Sequence, residues 1–482
     1  MVWEGQAVGK RAGALVGPVA LGDARLNRRV ESLVEDLLDH PQATIPEACG
    51  SWAATIAAYR LLENAAVTPE AITAGVAHAT VARCPTQGVL LAVQDTTSVD
   101  YTGHRAEQGV GPLESTGQRG VFVHTTLAVT PDGTPVGVVD QQLWARDSAM
   151  VGTRHQRHAV PIEGKESAKW LRAVRAATGR VGSRCQVVTV ADREADVYEL
   201  FGLAATLDSD WVIRARHDRR RADAAGSVEA AVAAAPVLVT STLEVARQAN
   251  HPPRTATVEV RASQVWVAPP AEKGKRAKAA WREAHPDVPA VGPAQLGELS
   301  LGVVRVSEPH PPTGESPVHW LLVTSLPVTT VAEVLTCVHY YRLRWLVERF
   351  HFVLKSGCQV ERLQLEHGDR LRRALAIYSV VAAWLLHATY LARTTPEAPA
   401  TVVLDDAAWR VLLTLRYPRQ PLPAQPPTVR EALRLIARLG GFLARTGDGE
   451  PGVQTVWRGF RRLNDMVLTW RIFATLSTTP LP

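Results

Sequence analysis

The sequence predicts an α/β core interrupted by an antiparallel β-rich insertion, with helical regions at both ends. Three observations predict it. Between about residues 76 and 215, apolar runs such as GVLLAVQD and CQVVTVAD alternate with helical stretches, the pattern of a sheet covered by helices. Over residues 216–318 apolar and polar residues alternate in STLEVARQANHPPRTATVEVRASQVWV, the two-residue period of antiparallel strands. Residues 1–75 and 394–482 carry apolar residues at helical spacing, and the length of 482 residues fits two or three domains.

The elements follow in order. LGDARLNRRVESLVEDLLDHP places Leu26, Val30, Leu33, Val34, Leu37 and Leu38 on one helical face, with Asp23 as N-cap and Pro41 as stop. Arg25, Arg28 and Arg29 occupy the other face, which is either a solvated surface or a DNA contact. SWAATIAAYRLLEN is a further helix. GVLLAVQDTTSVDYTG reads as a buried strand ending at Asp95, and VFVHTTLAVTPDGTPVGVVDQQLWAR as a hairpin turning at Pro131-Asp132-Gly133. A helix over 166–181 precedes CQVVTVADREADVYELF, a strand that ends at Asp192 and enters a helix. KGKRAKAAWREAH reads as a short basic loop, and HWLLVTS as an apolar strand. Helices run from about Val331 to Arg393, a proline-rich zone covers 394–428, and helices close the chain.

Composition narrows the function classes. The charged fraction is 21% and the net charge +6, which permits a polyanionic partner without requiring one. The five cysteines form no CxxC pair, so neither a disulfide framework nor a zinc knuckle is expected, and a reducing cytoplasm fits. No signal peptide is expected at the N-terminus. The uncharged stretch from Ala374 to Ala392 is long enough to span a bilayer. Its Ser379, His387, Thr389 and tyrosines favour a buried core helix instead.

Asp95 and Asp192 share a context, each following an apolar strand at its carboxyl end, where open α/β sheets bind ligands. Either could instead cap the next turn. Tyr341, Glu348 and Lys355 recur every seven residues, which on one continuous helix keeps them within about 40°. Arg344 lies a turn before Glu348. That line reads either as a salt-bridged surface or as a phosphodiester site, where three carboxylates hold two Mg²⁺ ions and basic residues hold phosphates.

With Asp95 in QDTTS, Asp192 in DREADVYELF and Tyr341, Arg344, Glu348 and Lys355 at Y-(2)-R-(3)-E-(6)-K spacing, the sequence resembles the DDE cut-and-paste transposases of the bacterial insertion-sequence group. LGDARLNRR, AYRLLEN, KESAKW, WVIRARH, HWLLVTS and IARLGGF extend the likeness over nearly the whole chain. The resemblance implies an RNase-H-like catalytic core over 76–393 with a β-rich insertion at about 216–318. It also implies a helical N-terminal domain over 1–75 that binds transposon-end DNA, and a helical dimerisation domain over 394–482. By resemblance, Asp95, Asp192 and Glu348 are catalytic metal ligands for two Mg²⁺ ions, or Mn²⁺. Trp320 stacks on a flipped base, and Tyr341, Arg344, Lys355 and Arg214 contact DNA, as do Arg25 and Arg29 on the N-terminal helix. The expected partners are double-stranded DNA, both end repeats and target, and a second copy of the chain, with no membrane. The expected activity is metal-dependent cleavage through hairpin ends and strand transfer, in the cytoplasm at the nucleoid. The alternatives are an RNase-H-like nuclease that cuts without joining and a catalytically silent end-binding protein. Leu26, Phe122 and Val123 depart from the family pattern, which bears on the end sequence recognised and not on the chemistry.

Overall fold

The computed structural model describes residues 11–103, 108–115, 117–150, 159–245 and 252–478. Helices come first: α1 (Arg11–Val16), α2 (Ala24–Asp39), α3 (Ile45–Cys49), α4 (Trp52–Glu63) and α5 (Pro69–Arg83). Then come β1 (Val89–Asp100), β2 (Gly111–Pro112), β3 (Arg119–Val129) and β4 (Pro135–Trp144). Helices and strands alternate through α6 (Ala168–Val181), β5 (Gln186–Ala191), α7 (Tyr198–Thr206) and β6 (Asp210–Arg214). The segment after Arg214 contains α8 (Val228–Ala234), β7 (Val239–Val245), β8 (Arg254–Val267), α9 (Lys275–Ala284), β9 (Leu299–Ser307) and β10 (His319–Thr324). The rest is helical: α10 (Val331–Arg342), α11 (Trp345–Phe352), a π turn (Val353–Gly357), α12 (Gly368–Thr394), α13 (Asp406–Arg416), α14 (Val429–Leu439) and α15 (Val453–Thr478).

Local chemistry sets several boundaries. Asp23 caps α2 by accepting the Arg25 amide at 2.7 Å, and α2 ends at His40, before Pro41. The basic stretch expected to be a loop is the helix α9, because its alanines, lysines and arginines favour helix. The Trp281 and His285 rings stack one turn apart at 4.2 Å. β1 continues past Asp95 to Asp100, since Thr96, Thr97 and Val99 are β-branched and favour extended backbone.

The chain forms two compact units. The first comprises Thr86–Asp95 and Met150–Trp345. In it β1 pairs parallel with β5, and β5 with β6, while β6, β10, β9, β8 and β7 pair antiparallel in that order. The strands of 216–318 therefore extend the same sheet at β10; residues 246–251 of that stretch lie outside the described residues. Trp170, Leu171 and Val174 of α6, Phe201 of α7 and Ile213, Val303 and Val323 of the sheet share one buried core. Phe201 stacks on Trp211 at 5.4 Å.

The second unit comprises Met1–Pro85, Thr96–Ala149 and Leu346–Pro482. β3 and β4 form the expected hairpin, closed where Gly133 donates to the Thr130 carbonyl at 2.9 Å. α12 is the one helix among the described residues long and apolar enough to cross a membrane, and 94% of that stretch is buried inside the protein. It packs against α2, α5, β4, α14 and α15. The expectation of a core helix is met.

Candidate active site

The first unit brings the two aspartates level. Val93 of β1 pairs with Val190 of β5, so Asp95 and Asp192, each two residues further on, reach the same height on neighbouring parallel strands. Such strands lie about 4.8 Å apart. Both residues are half-buried. Asp192 also accepts the Glu194 amide at 2.9 Å and caps the short turn Arg193–Ala195, so it meets the capping expectation as well.

Next to Asp192 stands a group that the sequence could only space. Tyr341 is buried at the end of α10, and Trp320 of β10 meets its ring edge-on at 5.1 Å. The Arg344 guanidinium lies 5.8 Å from the Tyr341 ring centre. Arg214, at the end of β6, donates to the His319 carbonyl at 2.7 Å, and its charge acts on Tyr341. Burial and the Asp192 charge push the Tyr341 phenol pKa up, against the opposing pull of Arg344 and Arg214. Asp192, Arg214, Trp320, Tyr341 and Arg344 thus gather in one unit.

One expectation is corrected here. Residues 341–355 are not one continuous helix. α10 stops at Arg342, where the Leu343 amide bonds the His339 and Tyr340 carbonyls and the chain turns. α11 then runs to Phe352 and widens into the π turn, closed by the Cys358 amide on the Val353 carbonyl at 2.8 Å. A break and a wider turn both change the angle per residue. The seven-residue spacing therefore does not line up one regular face. Tyr341 and Arg344 belong to the first unit, Glu348 and Lys355 to the second.

In the second unit Glu348 is exposed in the first turn of α11. Lys355 donates to the Ser98 carbonyl at 2.9 Å and pairs with Glu361 at 2.9 Å. Arg25, Arg28 and Arg29 are exposed on α2, opposite the buried Leu26.

Three family models match the chain in sequence order. They are Transposase DNA-binding over residues 12–67, Transposase DDE domain over 150–386 and Transposase Tn5 dimerisation domain over 380–479. The chain belongs to the Tn5-like DDE transposases.

The transposase binds DNA, cleaves it, transfers strands and forms a homodimer. Its DDE chemistry depends on a divalent metal. Asp95 and Asp192 suit such an ion, since carboxylate oxygens are the hard ligands that hard cations take. Among the described residues no group of three His, Cys, Asp or Glu stands ready to hold one. Ionised carboxylates repel at short range, and a cation makes their convergence favourable.

Sequence reasoning missed several residues that fix the segments carrying the candidate residues. Asp196 of the DREAD stretch is fully buried. It accepts the Arg216 and His217 amides at 2.7 and 2.8 Å and pairs with Arg219 at 2.5 Å, so it fixes the loop after β6. Its signal was an acid four residues after Asp192. Glu361 also accepts the Asp100 amide at 3.1 Å, which ties Lys355 to the end of β1. His351, on α11, hydrogen-bonds Thr125 at 3.3 Å, and Gln141 joins Thr125 to Ser379 at 3.2 and 2.9 Å. This buried chain connects α11 to β3, β4 and α12; nothing in the sequence pattern marks it.

Proposed function

We propose that Asp95, Asp192 and Glu348 together hold two Mg²⁺ ions, or Mn²⁺, and that the transposase moves its element by a cut-and-paste route through hairpin ends. When bound, the metal supplies activation of the attacking hydroxyl and charge stabilisation of the leaving oxygen at phosphorus. The chain's own residues do the positioning. Arg344 and Arg214 offer planar forks to phosphate oxygens, and Lys355 offers a point charge. Tyr341 supports Trp320, whose indole stacks on a base turned out of the duplex near the cut. Arg25 and Arg29 contact the backbone of the end repeats from a domain over 1–75, with the catalytic region over 76–393 and the dimerising region over 394–482. The protein works at the nucleoid.

The observation that carries this reading is the level placement of Asp95 and Asp192, with Tyr341, Arg214, Arg344 and Trp320 gathered at Asp192. The Asp95→Ala protein tests it. It is expected to bind end DNA as the parent does and to lose nicking in Mg²⁺ by about a hundred- to a thousandfold, the order expected when charge stabilisation at the reacting centre is removed. Equal nicking by both proteins would place the chemistry elsewhere.

A further inference from the structure

We propose that an arginine-lined cavity in the second unit binds backbone phosphates of duplex DNA, as a site separate from the carboxylates. The cavity measures about 600 Å³ and opens between the loop after α2, the end of α14 and the first half of α15. Arg458, Arg461 and Arg462 line one side. Arg461 and Arg462 lie three and four residues after Arg458, so on α15 both sit one turn from it on neighbouring tracks. Gln42 stands across from them, and the Gly440–Gly441 pair forms another wall. Gly441 has φ +97° and open space where a Cβ would sit, so a ligand can approach the backbone closely there.

The three arginines are not equivalent. Arg462 donates to the Leu439 carbonyl at 2.6 Å and caps the end of α14, a structural task. Arg461 reaches Glu47 at 3.4 Å, an exposed pair of little energetic weight. Arg458 is exposed and makes no hydrogen bond or ion pair among the described residues. One carboxylate, Asp465, shares the lining. Three arginines against one lining carboxylate leave the cavity net positive, with Arg458 unpaired among the described residues, the electrostatic footprint of a polyanion site.

Two further observations favour duplex DNA. Gln42 lies within the residues matched to the transposase DNA-binding model, so one wall of the cavity belongs to that domain. The exposed arginine face of α2 begins at Arg25, and Gln42 follows the other end of this 16-residue helix. At 1.5 Å per residue the helix is about 24 Å long. That is less than one turn of B-DNA, roughly 34 Å, so one duplex is long enough to reach both.

The full-length transposase and its Arg458→Ala variant are titrated with a short labelled duplex of arbitrary sequence over a series of salt concentrations. For each phosphate that is no longer neutralised, the slope of log affinity against log salt falls by about 0.9. Arg458→Ala is expected to lower the slope by that amount and weaken binding at low salt. Arg458→Lys, which keeps the charge, is expected to restore both. Arg461→Ala is expected to act in the same direction. Repeating the titration with the end repeat alone, and with the repeat extended by flanking DNA, distinguishes the source of the phosphates. Weaker binding of the repeat alone assigns end DNA; weaker binding of only the extended duplex assigns flanking or target DNA. An unchanged slope on every duplex, with the variants folded as the parent by thermal melting, overturns the proposal. A changed dimerisation constant with an unchanged slope also overturns it, because the cavity would then seat a second copy.

Discussion

Tyr341 sits where a signature residue meant for DNA would be expected to face solvent, yet it is buried. Its ring braces Trp320 edge-on, and the charges of Arg344 and Arg214 act on its phenol. A phenol so placed acts through its neighbours. The indole it braces is half-buried. Stacking on a base contributes about 1–3 kcal/mol. Trp320→Ala is accordingly expected to slow hairpin formation by about tenfold or more while leaving first-strand nicking nearly intact. Gel separation of nicked and hairpin products from a single end reads both steps; equal loss at each would remove the base-stacking role. At this scale the sequence spoke clearly for the acids, because an aspartate at the end of an apolar run is costly to bury without a reason. It marked Asp196 only as a further acid four residues after Asp192, because the partners of Asp196, the Arg216 and His217 amides and Arg219, lie twenty or more residues away in the chain.

The break between α10 and α11 determines what each element can present. α11 carries Glu348 on an exposed turn and His351 on a buried one. His351 joins the Thr125–Gln141–Ser379 chain, which fixes α11 to β3, β4 and α12. Burial first, and the Lys355 charge second, lower the His351 pKa from 6.5 to about 3. His387 on α12 is lowered to about 4 in the same way, chiefly by burial. Both stay neutral in the folded protein at pH values where the unfolded chain takes up protons. Stability is thus complete above pH 6.5 and falls as pH drops from 6.5 towards 3 for His351. Each such histidine contributes a slope of up to about 1.4 kcal/mol per pH unit. Melting midpoints measured from about pH 7 to about pH 5 are expected to fall less for His351→Asn than for the parent. An identical acid slope would show that His351 is not held neutral.

For the whole molecule the decisive surface is the far end of α15. Leu468, Trp470, Ile472 and Phe473 are between 47% and 64% exposed there, within the residues matched to the dimerisation model. These side chains ring the end of the helix, and large apolar side chains exposed in this number mark an interface. Phe473→Glu places a charge on that surface, and a buried unpaired charge costs far more than the contact it replaces. The variant is expected to shift the protein towards monomer in light scattering, and to lose paired-end strand transfer while still binding a single end. A dimer of unchanged strength would move the interface elsewhere on the chain.

The succession of strands and helices and the family were legible in the order of residues, as were the motifs that carry the candidate residues. Those depend on local periodicity and on motif spacing, which the chain carries without folding. The same reading took α9 for a loop, stopped β1 at Asp95 and drew residues 341–355 as one helix. Folding in three dimensions fixed these instead. A helix ends, widens or continues according to which of its turns find partners far away in sequence, and a strand continues according to what pairs with its later residues. The same reason explains the buried His351 chain and the arginine cavity. Their members come from distant segments, and no spacing in one sequence records that folding has made them neighbours.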